Sequence, residues 1–301
     1  MSFPVGVPLN QQNIGATIRQ PSTANFLISS KDRDDFNTTG GNSANFNITK
    51  KSSLLNGFFT RIAPNEIVLD WCIDNVSTYW NNTLIYVDIS GVGQKSYAVP
   101  SGQYTTAALL DVIVTGLTDG TYTFSLTTTT SGLKAIKCNL TADPNTAQTF
   151  KFKSVSNSGI DVSTLPIQLN LQLDTYGVSF PVDCPKVLPT QYIDFVSTQL
   201  TYNQALKDTS TAIIEQNILF RWYFAWDVPE PLDAYGYPIY QGYKRFIQRR
   251  EIPFPKQIAW TPNQPIGQLT FQVLDDEGNV LNPSLAVGEM EWNMTMLVSE
   301  N

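Results

Sequence analysis

Apolar and polar residues alternate one for one along much of this 301-residue chain. In NILFRWYFAW, Ile218, Phe220, Trp222, Phe224 and Trp226 share one parity, with Arg221 and Tyr223 on the other. TYTFSLT sets Tyr122, Phe124 and Leu126 against Thr and Ser, and IQLNLQL sets Ile167, Leu169, Leu171 and Leu173 against Gln168, Asn170 and Gln172. MEWNMTMLV groups Met290, Trp292, Met294 and Met296. Successive side chains of a strand point to opposite faces, so each stretch predicts a half-buried strand of antiparallel sheet. FQVLDDEGNVL predicts a hairpin turning near Asp276-Glu277-Gly278-Asn279. One segment departs from this period. Leu109, Leu110, Ile113, Val114 and Leu117 recur at helical spacing, predicting one short helix near 105–116, started by Thr105 and ended by Gly116 or Gly120.

The pattern divides the chain. Residues 1–22 are rich in Gly, Pro, Asn and Gln with little period and predict an extended arm. Residues 76–184 are rich in Thr, Ser and Asn, poor in charge, and contain the helix. The flanking stretches, 23–75 and 185–301, hold more Arg, Trp and Pro. The expected organisation is a small α+β insertion, mostly β, carried inside a discontinuous β-rich domain. No internal repeat is evident.

Composition narrows the chemistry. There is no His, so Ser–His–Asp, Cys–His and HExxH sites are excluded and the commonest neutral-pH base is missing. Cys72, Cys138 and Cys184 are odd in number and widely spaced, which predicts no disulfide framework. Only 15% of residues are charged, against about a quarter in ordinary soluble domains, leaving a neutral polar surface suited to packing on other proteins. The first residues carry no basic region followed by an apolar run, and no 18-residue apolar stretch occurs, so neither a signal peptide nor a membrane span is expected.

Local motifs add little. SGVGQKS at 90–96 lacks the Gly-Lys-Ser/Thr ending of a phosphate loop and predicts a hairpin turn. DDEGN at 275–279 lacks the twelve-residue ligand spacing of a calcium loop. KDRDDF at 31–36 gathers Asp32, Asp34 and Asp35 about Arg33, as a solvated loop or an intersubunit ion pair would. TTGGNS at 38–43 predicts a flexible turn, and the several Asn-X-Ser/Thr sequons fit chance in an Asn- and Thr-rich chain. No cofactor, metal or catalytic residue is indicated.

The segment that stands out is YGYPIYQGYKRFIQRREIPFPKQIAW, 235–260, with five basic residues against one acid in a chain of net charge −7. Basic residues among aromatics suit nucleic acid, but the acidic whole opposes phosphate binding and the prolines prevent a recognition helix. Tyr, Trp and Arg are enriched at the centres of protein interfaces. The candidate subunit-interface residues are therefore Tyr237, Tyr240, Tyr243, Arg245, Arg249, Arg250 and Trp260.

In order along the chain, LTYNQALKDTST, RWYFAWDVPEPLDAYGYPIYQGYKRFIQRREIPFPKQIAW and QPIGQLTFQVLDDEGNVL resemble the penton (minor capsid) proteins of virophages and related Polinton-like viruses, over about residues 190–285. ANFLISSKDR and IYVDISG…SYAVPSGQYTTAALLDVI are similar in character but less specific. The resemblance implies a single jelly-roll β-sandwich, an all-β fold here carrying the insertion. It implies a homopentamer at the vertex of an icosahedral double-stranded DNA virus or virophage, surrounded by double-jelly-roll major capsid hexamers. It places the chain in the virion, assembled within the host cell in a cytoplasmic virus factory, with the insertion facing outward toward a possible host receptor. It implies no enzymatic activity. Two readings from other classes stay open, a receptor- or glycan-binding β-module and a β-jelly-roll hydrolase with a carboxylate pair.

Overall fold

The computed structural model describes residues 23–36, 41–49, 60–188, 190–201, 218–224, 231–240, 243, 245–253, 255, 257–259, 267–281 and 290–299. The predicted arm, 1–22, lies outside them.

Eight strands make the frame: β1 (Thr23–Ser29), β2 (Asn45–Thr49), β3 (Arg61–Trp71), β10 (Tyr192–Val196), β11 (Ile218–Tyr223), β12 (Phe246–Glu251), β14 (Gln268–Leu274) and β15 (Glu291–Ser299). One sheet runs β1-β15-β3-β12 and the other β11-β10-β14-β2, all pairs antiparallel. Counting the eight in chain order, the first pairs with the eighth, the second with the seventh, the third with the sixth and the fourth with the fifth. One long antiparallel ribbon has thus been wrapped into two facing sheets, which is a jelly roll. The short β13 (Ile258–Ala259) continues along the same edge of β3 after β12 ends. Between the sheets lies an apolar core supplied by alternate residues of both, among them Ile67, Leu69, Trp71, Met294, Phe195, Phe271 and Trp222.

Two bulges explain where strict alternation fails. Thr295 faces Glu66 but Met296 faces Pro64, so Asn65 is the extra residue in β3 and both Ile62 and Ile67 turn inward. Its carbonyl is not wasted, because Ile252 N–H donates to it at 2.9 Å. In β11, Phe195 faces Phe220 and Val196 faces Ile218, which leaves Leu219 as the bulge. Leu219 and Trp222 are therefore buried while Ile218 and Phe220 are only partly covered. The single-parity reading of NILFRWYFAW is corrected at that point, and Trp226 lies outside the described residues.

Between β3 and β10 the chain builds a second core. The strands β4 (Leu84–Ile89), β5 (Gly93–Ala98) and β8 (Phe150–Lys153) form one small sheet. The strands β6 (Tyr122–Thr128), β7 (Lys134–Leu140) and β9 (Ser179–Pro181) form another. Against them packs helix α1 (Thr106–Leu117), whose Leu109, Leu110, Ile113 and Leu117 are buried. Thr105 caps it as predicted, accepting from Ala108 N–H. The end was misplaced: Gly116 is inside the helix, and Thr118 closes it by donating its hydroxyl to the Val114 carbonyl at 2.7 Å. The SGVGQKS turn joins β4 to β5 with Gly91 and Gly93 at positive φ. The DDEGN turn closes through Gly278 at φ 84°, with Asp275 accepting from the Glu277 and Asn279 amides.

IQLNLQL is not a strand. Pro166 opens a short helical turn, α2 (Leu165–Gln168), and Asn170 takes a left-handed φ of 51°. Leu169 and Leu171 still reach the core, but from a loop, while Ile167 stands exposed. In KDRDDF, Arg33 is buried, donates to the Ser30 carbonyl, pairs with Asp35 and lies over Phe36. Among the described residues no acidic, Cys or His cluster is arranged to hold a metal ion. Cys72 and Cys138 are buried and Cys184 is exposed, and none of the three is joined in a disulfide.

Gly116 carries a prediction. A Cβ there would lie 2.1 Å from the Tyr97 ring. Gly to Ala in a helix interior normally stabilises by about 0.5–1 kcal/mol. Here the ring must leave its seat, and Gly116→Ala is expected to lower stability by about 1 kcal/mol or more. In a Tyr97→Ala background the same change should become stabilising, which urea melts of the four variants would read as a sign reversal.

Candidate subunit interface

The segment 235–260 splits into a clamp and an edge strand. The clamp is the loop 231–240, which leaves the jelly roll and reaches the second core. Asp233 accepts from the Tyr235 and Tyr237 amides with one oxygen and from Ala107 N–H with the other, at 2.7 Å. Ala107 lies in the first turn of α1, where free amides and the helix dipole favour a carboxylate. Gly236 at φ 83° permits the turn. Tyr237 then sinks to 4% exposure, donates its hydroxyl to the Val182 carbonyl at 2.9 Å and accepts from Lys134 N–H at 3.2 Å. Burial raises its pKa. Tyr235 donates to Asp111 at 2.6 Å beneath the Lys134 ammonium. Tyr237 is thus removed from the set of candidate surface residues, because its ring fills the chain's own second core.

The edge strand is β12, which pairs with β3 through Ile247↔Asp70, Arg249↔Val68 and Glu251↔Glu66. Among the described residues no strand pairs with its other edge. Its residues alternate strictly between exposed and half-buried. The prolines at 253 and 255 follow the strand rather than break it. On the outer face Arg245 forks onto Asp70, with contacts of 2.8 and 3.2 Å. Arg249 contacts Glu66 at 2.6 Å and Glu251 at 3.2 Å. Arg245 and Arg249 are therefore answered by acids of β3 and of β12 itself.

Arg250 faces the other way. Its guanidinium lies over the Trp222 ring at 4.1 Å from the centroid, at the open seam between the edge strands β12 and β11. Desolvation lowers its pKa. An inward-turned charge on an edge strand also opposes unwanted edge-to-edge pairing. Arg250 is a correction too: it serves the sandwich, not the outer surface. Tyr240 is half-buried against the jelly-roll core, and Tyr243 is half-buried in a turn, donating its amide to the Tyr240 carbonyl. Trp260 lies outside the described residues.

Sequence reasoning missed two residues of this sheet. Ile247 is 70% exposed beside Arg249, and Leu27 on β1, the opposite edge, is 72% exposed. Leu27 pairs with Thr295 on the same outer face. Both follow from strand parity once the register is known, but parity alone cannot say which side of an edge strand is covered. The second sheet presents a different outer face, where Asp194 is 5% exposed and held bidentately by Arg221 at 2.6 and 2.8 Å, with the guanidinium stacked on Tyr192.

No protein-family model matches the sequence, and no curated protein does. The fold is similar to two solved structures. One is the mavirus penton protein, at 12% identity and a TM-score of 0.48, covering 94% of this chain and 100% of that one. The other is a chain of the Sputnik virophage determined by cryo-EM, at 12% identity and a TM-score of 0.43, covering 93% of this chain and 98% of that one. Similarity at this level carries no weight for function, so the interface rests on its own geometry.

Arg249 and Arg250 are expected to behave oppositely in the isolated chain. Arg250→Ala should cost about 1–2 kcal/mol in a urea melt, since it uncovers Trp222 and empties the seam. Arg249→Ala should leave the melt unchanged, because an exposed ion pair contributes little.

Proposed function

We propose that this chain is a structural capsid protein that forms the homopentameric vertex of an icosahedral double-stranded DNA virus or virophage, without enzymatic activity. The observation that carries this reading is the pair of exposed apolar residues, Ile247 and Leu27, on the two opposite edge strands of one sheet face, beside ion-paired Arg245 and Arg249. A closed five-fold ring needs two different patches per subunit, each meeting the other on its neighbour. The β12 edge with Ile247 and Arg249 is one such patch, and the β1 edge with Leu27 is the other. The ordered phrases of 190–285 that resemble penton proteins support the same reading.

In this account the unit 23–75 with 185–301 lies in the shell and touches the major capsid hexamers. The insertion 76–184 projects outward, where a host receptor would meet it. The clamp at 231–240 holds it in a fixed direction. Nucleic acid is not proposed as a partner, since the chain carries a net charge of −7 and the outward Arg245 and Arg249 are already matched by acids. Among the described residues no helix is long and apolar enough to cross a membrane.

The test uses two single variants, Ile247→Asp and Leu27→Asp, imaged by negative-stain microscopy beside the wild type. The wild type should form five-fold rings and each variant only monomers, with unchanged melting. Mixed together, the variants retain one intact pairing of unlike patches and should form dimers that do not grow. Five-fold rings from both variants would overturn the assignment of these edges.

A further inference from the structure

A cleft of about 580 Å3 opens between the 275–279 turn of the jelly roll and the inserted segment. That volume lies within the roughly 300–1,000 Å3 typical of small-molecule sites. Its walls include Tyr79, Trp80, Ile167, Lys186, Asp276 and Glu277. We propose that this cleft binds a neutral saccharide of one or two rings.

The aromatic wall comes first. Tyr79 donates its hydroxyl to the Val280 carbonyl at 3.1 Å, and the Trp80 indole N–H donates to the Asp74 carbonyl at 2.8 Å. Their polar edges are thus engaged by backbone, and the rings pack edge-on with centroids 4.5 Å apart. Both rings are partly buried against the jelly-roll core and line the cleft, and the negative face of an aromatic ring suits the polarised C–H groups of a sugar. Ile167, 59% exposed, extends this apolar wall.

The opposite wall is polar and planar. Asp276 spends one oxygen on the Gln191 amide at 2.9 Å and keeps acceptor capacity. Glu277 is exposed, Asn279 donates its side-chain amide to Asp275 and Glu277 within the turn and keeps its amide oxygen as an acceptor, and Asn81 faces them from the side of Ile167. Carboxylates and amides of this kind can each take two hydrogen bonds from adjacent hydroxyls, and a site built for hydroxyls rejects ligands that lack them. Charge then selects the class. Three acids line the cleft, with Lys186 the cation among its lining residues. Asp275 is committed to its own turn, yet its charge remains. Phosphates and other anions are repelled, whereas a neutral polyol satisfies both walls.

The cleft spans both cores, with Asn81 and Ile167 on one side and the 275–279 turn on the other. Its occupancy does not depend on the ring, so the proposal holds whether or not the chain forms a vertex. Saturation-transfer NMR on the full chain tests it. The probes are the methyl glycosides of glucose, galactose, mannose and N-acetylglucosamine, with glucose 6-phosphate as the anionic comparison. At least one neutral glycoside is expected to bind with a Kd of about 1 mM or below, and the phosphate more weakly. Ile167→Asp and Glu277→Lys, both at exposed positions, should each weaken that binding by about 10-fold or more while the melt stays unchanged. The proposal falls if no neutral glycoside binds up to about 10 mM, if the phosphate binds more tightly, or if both variants bind as the wild type does.

Discussion

Everything in this fold hangs on Trp292. It stands on β15, near the middle of one sheet, and its ring meets Phe46, Phe195 and Phe271 of the other sheet at centroid distances of 5.6, 5.2 and 5.6 Å. Its indole N–H donates to the Ser43 carbonyl and its amide donates to the Ser30 hydroxyl. One fully buried side chain thus sets the spacing of the two sheets and draws in the chain before β2. The strands β15 and β3 are fixed by that contact. Both edge strands of the proposed interface, β1 and β12, are then placed by hydrogen bonds to them.

Much of this was legible in the residues. Strand parity at 290–296 and 122–128, the helix with its Thr105 cap, and the turns at 90–93 and 275–279 depend on local chemistry that a sequence displays directly. What failed depends on contacts distant in sequence. The bulges at Asn65 and Leu219 shift parity for reasons held by the partner strands. IQLNLQL imitates a strand because Leu169 and Leu171 reach the core from a loop, with Asn170 in a left-handed turn. Gly116 looks like a helix terminator, yet it is glycine because the Tyr97 ring occupies the space of its Cβ.

The site was legible in part for the same reason. The basic and aromatic character of 235–260 marked a segment with several tasks but could not divide them. Tyr237 and Asp233 bind the insertion to the frame, Arg250 closes the seam over Trp222, and Arg245 and Arg249 hold the outer face. An exposed Ile among arginines is what remains for another molecule. The two described outward cations of this stretch, Arg245 and Arg249, each have an acid on their own sheet, so that part of the face can approach an identical copy without repulsion from unpaired charge.

The central claim is the five-fold ring, and light scattering on the purified chain across a range of salt addresses it most directly. The account predicts a species of five times the 33.5 kDa chain mass that persists at high salt, because apolar contacts at Ile247 and Leu27 are not screened. A strict monomer at every salt concentration and protein concentration would contradict it.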